Sequence, residues 1–447
     1  MIIDILIERF KENLLNPAIV WKESTLTYNN LLDKIKEARV FVKVNQIKKG
    51  EVVALNGDFT PMGIAILLVL IENKNIILPA HESNQKNLDD KYLLAGVKYE
   101  ITIDLVKDTC SVNVYNHKIS HAYYDYLKQK DVSGLVLFTS GTSGKPKAAV
   151  HDFEELLQKF KIRKSALRTI NFLLFDHWGG LNTLFHTISN CGVVMALSDR
   201  KPISICNFIE KYKIELLPVS PSFMNLLIFS EMYKKFDLSS LKLITYGTEP
   251  MSQNTLNKSK EIFPNIKFHQ TYGLIELGVL RSKSKSDNSL WVKLGGEGYD
   301  IRVINNMLEI KAKSAMLGYL NAESPFTIDG YFKTGDLVEV EGEYFKILGR
   351  NSEIINVGGE KVFPQEVENV LLSHSEVDDV LVYGQANPIL GKTVCAKIRC
   401  SSKTETKSFK KELKLLCKDR LAPFKRPIKY IFTNESLSSN RFKKQRS

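Results

Sequence analysis

Hydroxyls, glycines and lysines crowd into Thr139-Ser140-Gly141-Thr142-Ser143-Gly144-Lys145-Pro146-Lys147, directly after the apolar run Leu135-Val136-Leu137-Phe138. Glycines let a backbone turn sharply and bring its N–H groups close to a guest. Successive N–H groups form a concave anion site, to which hydroxyls and lysines add donors and charge. The chemistry such a loop serves is the holding of a polyphosphate. A flexible Ser/Gly linker is excluded by the strand-like run before it and by the lysines and proline within it. A Walker loop is excluded as well. It requires glycine five positions before Gly144, where Thr139 stands, and Ser or Thr after Lys145, where Pro146 stands.

The segment resembles the phosphate loop of the adenylate-forming superfamily: acyl-CoA synthetases, peptide-synthetase adenylation domains and firefly luciferase. That pattern reads Ser/Thr-Ser-Gly-Thr-Ser/Thr-Gly-X-Pro-Lys-Gly, and the chain departs only at Ala148. The resemblance assigns Thr139, Ser140, Gly141, Thr142, Ser143, Gly144 and Lys147 to the phosphates of ATP. It continues down the chain in the expected order. Gly247, Thr248 and Glu249 resemble the loop that packs on adenine. Gln270-Thr271-Tyr272-Gly273-Leu274-Ile275-Glu276 resembles the Tyr-Gly-X-Thr-Glu segment. There Tyr272 would stack on the base and Glu276 would hold Mg²⁺, an ion content with a few carboxylate or phosphate oxygens. The family's threonine, a donor to the α-phosphate, is Ile275 here. Either a neighbour such as Thr271 supplies that bond, or nucleotide affinity and rate are lower.

Thr334-Gly335-Asp336 resembles the segment whose aspartate holds the ribose, and Gly349-Arg350 resembles the arginine that also reaches ribose or phosphate. One carboxylate beside a tight turn can accept from two hydroxyls. Ile355 to Pro364, with Gly358-Gly359, resembles the segment that enters the active site for the second half-reaction. The family ends on a lysine sixteen residues after a Lys-X-Pro proline. Pro427 in Lys425-Arg426-Pro427 places that lysine at Lys443, with Phe442 where the family has glycine and Lys444 adjacent.

The implied reaction joins a small-molecule carboxylic acid to ATP and then to a thiol. Both reactants of the first step are anions, so cations must offset repulsion at the transferring phosphorus. The expected thiol is coenzyme A, or the phosphopantetheine of an acyl or peptidyl carrier protein. Within Phe175-Asp176-His177-Trp178, Asp176 favours an amino-acid substrate. His177, fifteen residues before Gly192, matches the spacing of acyl- and aryl-CoA ligases and marks the pocket wall beside the acid's carboxylate. Two rivals remain: a stand-alone amino-acid adenylation enzyme, and a degenerate nucleotide-binding scaffold, which Ile275, Ala148 and Phe442 would suit.

Positioning these groups requires an ordered scaffold. Val52–Leu55, Ile76–Leu78, Leu135–Phe138, Val193–Leu197 and Leu243–Tyr246 read as buried strands, alternating with helices such as Asp152–Lys164 and Ile203–Tyr212. Met62–Ile71 reads as a buried helix and Met1–Phe10 as an amphipathic one. The fold class expected is α/β. A large N-terminal domain of parallel-rich sheets flanked by helices, with a β-rich subdomain near 290–348, precedes a small mobile α+β C-terminal domain. The boundary is placed near Asn351, giving 1–350 and 351–447, with a hinge at Asn351–Ser352.

Composition agrees. The chain has 447 residues, 44% hydrophobic and 25% charged, too long for one ordinary core. Six scattered cysteines without a Cys-X-X-Cys pair read as buried free thiols and a cytoplasmic setting. The apolar runs are too short to span a bilayer, and the acidic charge in the N-terminal stretch does not suit a secretory signal. Net charge is +12, and from Ser352 onward 18 Lys/Arg stand against 11 Asp/Glu. A basic lobe suits any polyanion. No nucleic-acid-binding signature accompanies it, so coenzyme A or an acidic carrier is the expected partner.

Overall fold

The computed structural model describes residues 2–81, 88–117, 119–139, 146–197, 199–400, 407–435 and 437. Two seven-stranded sheets form the large part. In the first, Lys267–Gln270, Leu243–Tyr246, Leu216–Val219, Arg168–Ile170, Val193–Ala196 and Pro17–Trp21 run parallel, and Ser24–Thr27 closes the edge antiparallel. In the second, Gly134–Thr139, Ile76–Ala80, Val52–Asn56 and Tyr99–Asp104 are parallel. Antiparallel partners flank them: Lys147–Asp152 and Gly318–Tyr319 on one side, Thr109–Val114 on the other. Strands buried on both faces read as unbroken apolar runs, which is why these segments were legible.

Between the two sheets lies one continuous core. It takes Ile19 and Val194 from the first sheet, Val53 and Leu135 from the second, and the inward faces of five helices. Helix Pro61–Glu72 is buried at every position but its last; Thr60 caps it by accepting from the Gly63 N–H. A helix apolar all round has no solvent face to lose. Each Leu or Ile buried there contributes roughly 1.5–3 kcal/mol. The N-terminal helix is Ile2–Lys11, with Ile2, Ile3, Leu6 and Phe10 turned inward.

One helix is shorter than the sequence suggests. Asp152 caps Phe153–Leu157, and Gln158–Lys161 tightens to a 3-10 turn. Arg9 from the N-terminal helix donates to the carbonyls of Phe160 at 3.1 Å and Lys161 at 2.6 Å. Those carbonyls are therefore taken by a tertiary partner where a continuing helix would use them.

The β-rich stretch forms a six-stranded antiparallel sheet. Its order is Ser282–Ser284, Trp291–Leu294, Tyr344–Arg350, Phe332–Glu341, Met307–Ala312, Tyr299–Ile304. After the turn Asn351–Glu353, residues 355 onward build their own sheet and core. Strands Val377–Asn387 and Gly391–Cys400 pair in a long hairpin, which Lys429–Thr433 joins in parallel. Helix Pro364–Leu371 is anchored twice: Glu366 takes the Lys425 ammonium at 2.6 Å, and buried Glu368 accepts the Val382 N–H at 2.9 Å. All six cysteines are free; five are buried and Cys110 is half-buried.

Candidate active site

In open parallel sheets, ligands lie outside the carboxyl ends of the strands. Thr139, Gly247 and Thr271 each stand at such an end. Gly247 follows strand Leu243–Tyr246, and a Cβ there would come within 2.4 Å of the Thr271 hydroxyl oxygen and 2.7 Å of its carbonyl. No other residue fits. Thr248 holds a left-handed φ of 73°, and its Oγ1 is buried without a partner. Strain of that kind in a β-branched residue, about 1–3 kcal/mol, marks functional loops. Glu249 accepts the Ser222 N–H at 2.8 Å, at the start of helix Pro221–Ser230, where a carboxylate is favoured.

Strand Lys267–Gln270 leads into Thr271 and Tyr272. The Thr271 hydroxyl donates to the Tyr246 carbonyl at 3.1 Å. Its single proton is thus committed, and Ile275 packs into apolar cores. To serve as the missing phosphate donor, Thr271 would have to turn its hydroxyl away from that carbonyl. Tyr272, 7% exposed, donates its hydroxyl to Asp336 at 2.6 Å. Gly273 must be glycine, because a Cβ would lie 2.8 Å from the Gly278 carbonyl across the small hairpin of Gly273–Leu274 and Gly278–Val279. Glu276 sits at the turn of that hairpin, its Oε1 accepting the Tyr319 hydroxyl at 2.6 Å.

Asp336 and Arg350 are direct partners across strands Phe332–Glu341 and Tyr344–Arg350, with Nε to Oδ1 at 3.4 Å. Burial pushes the Asp336 carboxyl up, against the pull of Arg350. Burial alone would lower the Arg350 guanidinium, but the charges of Asp336 and Glu276 hold it above its ordinary value. Arg350 therefore lies in the field of both the ribose-type and the metal-type carboxylate.

Thr139 and Lys147 are opposite each other in the antiparallel pair, so both ends of the hydroxyl-rich segment are held side by side. The Lys147 ammonium stands 5.3 Å from the Tyr319 ring centre. Ala148 is fully buried in the apolar cluster beneath the loop. Ser140, Gly141, Thr142, Ser143 and Gly144 lie outside the described residues, as does Lys443.

His177 caps helix Trp178–Ser189; its Nδ1 accepts the Gly179 N–H at 3.0 Å. The neutral ring then carries its proton on Nε2, the tautomer that can donate to a carboxylate. Lys159 ties this helix to the hairpin of Glu276, donating to Asn182 Oδ1 at 2.5 Å and to the Val279 carbonyl at 2.9 Å. Burial pulls its ammonium down to about 7, with Lys164 and Arg281 adding to the effect.

Two groups escaped the sequence. Tyr319 and Asn321 meet the site from the edge strand and carry no charge to flag them. Arg200 is the other. It donates to the Phe172 carbonyl at 2.6 Å and lies 3.8 Å from Asp58, which also meets His81 at 3.3 Å. Burial lowers the Arg200 guanidinium while Asp58 and Asp176 hold it up, so Asp176 shares the field of an internal cation.

Comparison with known proteins adds a family. The profile of the AMP-binding enzyme family matches residues 56–332, and that of the AMP-binding enzyme C-terminal domain matches 366–444. The chain belongs to the AMP-binding enzyme family. Acyl-CoA synthetase 7 of Caenorhabditis elegans is 29% identical over 55% of the chain and 52% of its own length. A long-chain-fatty-acid–CoA ligase of Bacillus subtilis is 25% identical over 67% and 58%. The chain thus spans about half the length of these relatives. A 2-succinylbenzoate–CoA ligase of Listeria monocytogenes is 24% identical over 92% of the chain and 91% of its own length. Among solved structures, the anthranilate CoA ligase AuaEII in complex with anthranoyl-AMP superposes with a TM-score of 0.83 at 16% identity, covering 98% of this chain and 94% of that one. ATP-bound MatB from Rhodopseudomonas palustris gives 0.79 at 20%, covering 96% and 95%. At such identities the likeness carries the fold: an AMP-binding enzyme of mixed α/β architecture.

Proposed function

We propose that this AMP-binding enzyme activates a carboxylic acid with ATP as an acyl-adenylate, then passes the acyl group to a thiol. Coenzyme A is the leading acceptor, ahead of a carrier-protein phosphopantetheine. The observation that carries the reading is the convergence of Tyr272 and Glu276 with Asp336 and Arg350, two distant stretches of the chain, on one patch. Through Tyr319 that patch also reaches Lys147.

Among the described residues, no group of three or more His, Cys, Asp or Glu could hold a metal. Glu276 alone fits an ion that arrives with the nucleotide and draws its other ligands from phosphate and water. Mg²⁺ bound there would supply Lewis-acid neutralisation of the phosphates. The chain's own groups do the rest. Asp336, with Tyr272 and Arg350 on its oxygens, offers acceptor capacity to ribose hydroxyls. Lys147 and Arg350 face phosphate charge. His177 Nε2–H orients the acid for in-line attack. With Thr271 committed and Ile275 apolar, the lower-affinity alternative for the α-phosphate is the one we retain. Gly247, Thr248, Glu249 and Gly273 shape the base site, with Tyr272 as the ring that adenine would stack on.

Residues 1–350 would hold nucleotide and acid, and 351–447 would act as the lid that brings Lys443, hinged at Asn351–Ser352. The free thiols suit a reducing cytoplasm. Among the described residues, no helix is long and apolar enough to cross a membrane. We favour an organic acid over an amino acid on the spacing of His177 from Gly192. Incubating the enzyme with ATP, Mg²⁺ and a panel of fatty, aryl and amino acids, with and without coenzyme A, tests this. AMP release should require an organic acid and rise with coenzyme A. Turnover confined to amino acids would overturn the choice, and ATP binding without any turnover would favour a scaffold.

A further inference from the structure

The edge strand Gly318–Tyr319 does more than finish a sheet. It pairs with Lys147–Asp152, Gly318 opposite Val150 and Tyr319 opposite Ala149. Beyond its end, the side chain of Asn321 takes over the ladder. Its Oδ1 accepts the Ala148 N–H at 2.9 Å and its Nδ2 donates to the Pro146 carbonyl at 2.9 Å. One amide therefore clamps the backbone on both sides of Lys147. A primary amide carries the donor and the acceptor this needs on two separate atoms.

The same segment reaches the other way. Tyr319 lays its ring near the Lys147 ammonium and donates its hydroxyl to Glu276 Oε1. The Met316 N–H donates to the Glu276 carbonyl at 2.7 Å, and the Ser314 hydroxyl to the Leu277 carbonyl at 2.8 Å. Residues 314–321 are thus laced to the turn bearing Glu276 at one end and to the exit of the phosphate loop at the other.

We propose that this segment is a strut that sets the spacing between Lys147 and Glu276, with Tyr319 and Asn321 as its positioning residues. The inference rests on the reading of this patch as the ATP site. With Oε1 accepting from Tyr319, the Glu276 carboxylate that would hold the ion is restrained in its orientation. Partners behind a metal ligand alter metal affinity about 10–100-fold when removed. Asn321 acts instead on the loop itself.

The test is calorimetric binding of α,β-methylene-ATP to the full chain, in Mg²⁺ and in EDTA. Tyr319→Phe keeps the ring and its packing. It should weaken binding about 10-fold or more in Mg²⁺ and leave binding in EDTA unchanged. Asn321→Ala should weaken both about 10-fold, and Asn321→Asp, which keeps only the acceptor, should fall between. The KM for the acid should not move in any of the three. If the unsubstituted chain binds the analogue and all three variants bind it equally well, the strut is wrong while the ATP site stands. If the unsubstituted chain binds no analogue in either condition, the site reading falls and takes the strut with it.

Discussion

Lys443→Ala should cut acyl-adenylate formation by about 10²–10³-fold while sparing thioester formation from supplied acyl-adenylate. The first step drives an anionic carboxylate into a polyanion, so a cation placed at the developing charge is worth most in the transition state. Removing one such preorganised donor costs about 2.7–4 kcal/mol. The second step, attack of a thiol on the adenylate carbonyl, has no such demand at phosphorus. A lysine on a mobile lobe can serve the first step and withdraw for the second. Lys443 is placed by its spacing from Pro427 and lies within the span matched by the C-terminal family profile. Lys444→Ala is the control. If it loses adenylation and Lys443→Ala does not, the assignment shifts by one residue.

The second large effect is at Asp336. Its carboxylate takes the Tyr272 hydroxyl and the Arg350 guanidinium while buried at 6% exposure. Asp336→Asn removes the charge but keeps an oxygen for Tyr272. Loss of a charge-assisted acceptor for ribose hydroxyls is worth about 1.5–3 kcal/mol. The KM for ATP should therefore rise about 10–100-fold, with the KM for the acid little changed. Arg350 also loses its partner. Its side chain is 47% exposed, so water screens part of the loss, and about 1 kcal/mol of stability is the expected cost. Thermal unfolding with and without ATP separates the two effects. Equal ATP affinity in the variant would remove Asp336 from the nucleotide site.

Much of this arrangement is legible in the sequence. The sequence reads Asp336 toward ribose and Arg350 toward ribose or phosphate, and the sheet places the two directly opposite each other. The buried strands announced themselves because sheets covered on both faces need unbroken apolar runs. What stayed hidden depended on distant partners. The Thr271 proton goes to a carbonyl at Tyr246, which no local pattern reveals. The helix after Asp152 gives way to a 3-10 turn whose last carbonyls, at Phe160 and Lys161, are taken by Arg9 from the far end of the chain. Tyr319 and Asn321 carry neither charge nor unusual backbone, so only their neighbours show their use. Lys159 is buried between Asn182 and Val279, partners that no local pattern reveals.

The most direct measurement is acid-dependent exchange of labelled pyrophosphate into ATP, without any thiol. Exchange should start when the right organic acid is added, should need Mg²⁺, and should vanish in Lys443→Ala. A chain that binds ATP yet exchanges no pyrophosphate with any carboxylic acid would contradict adenylate formation at this site.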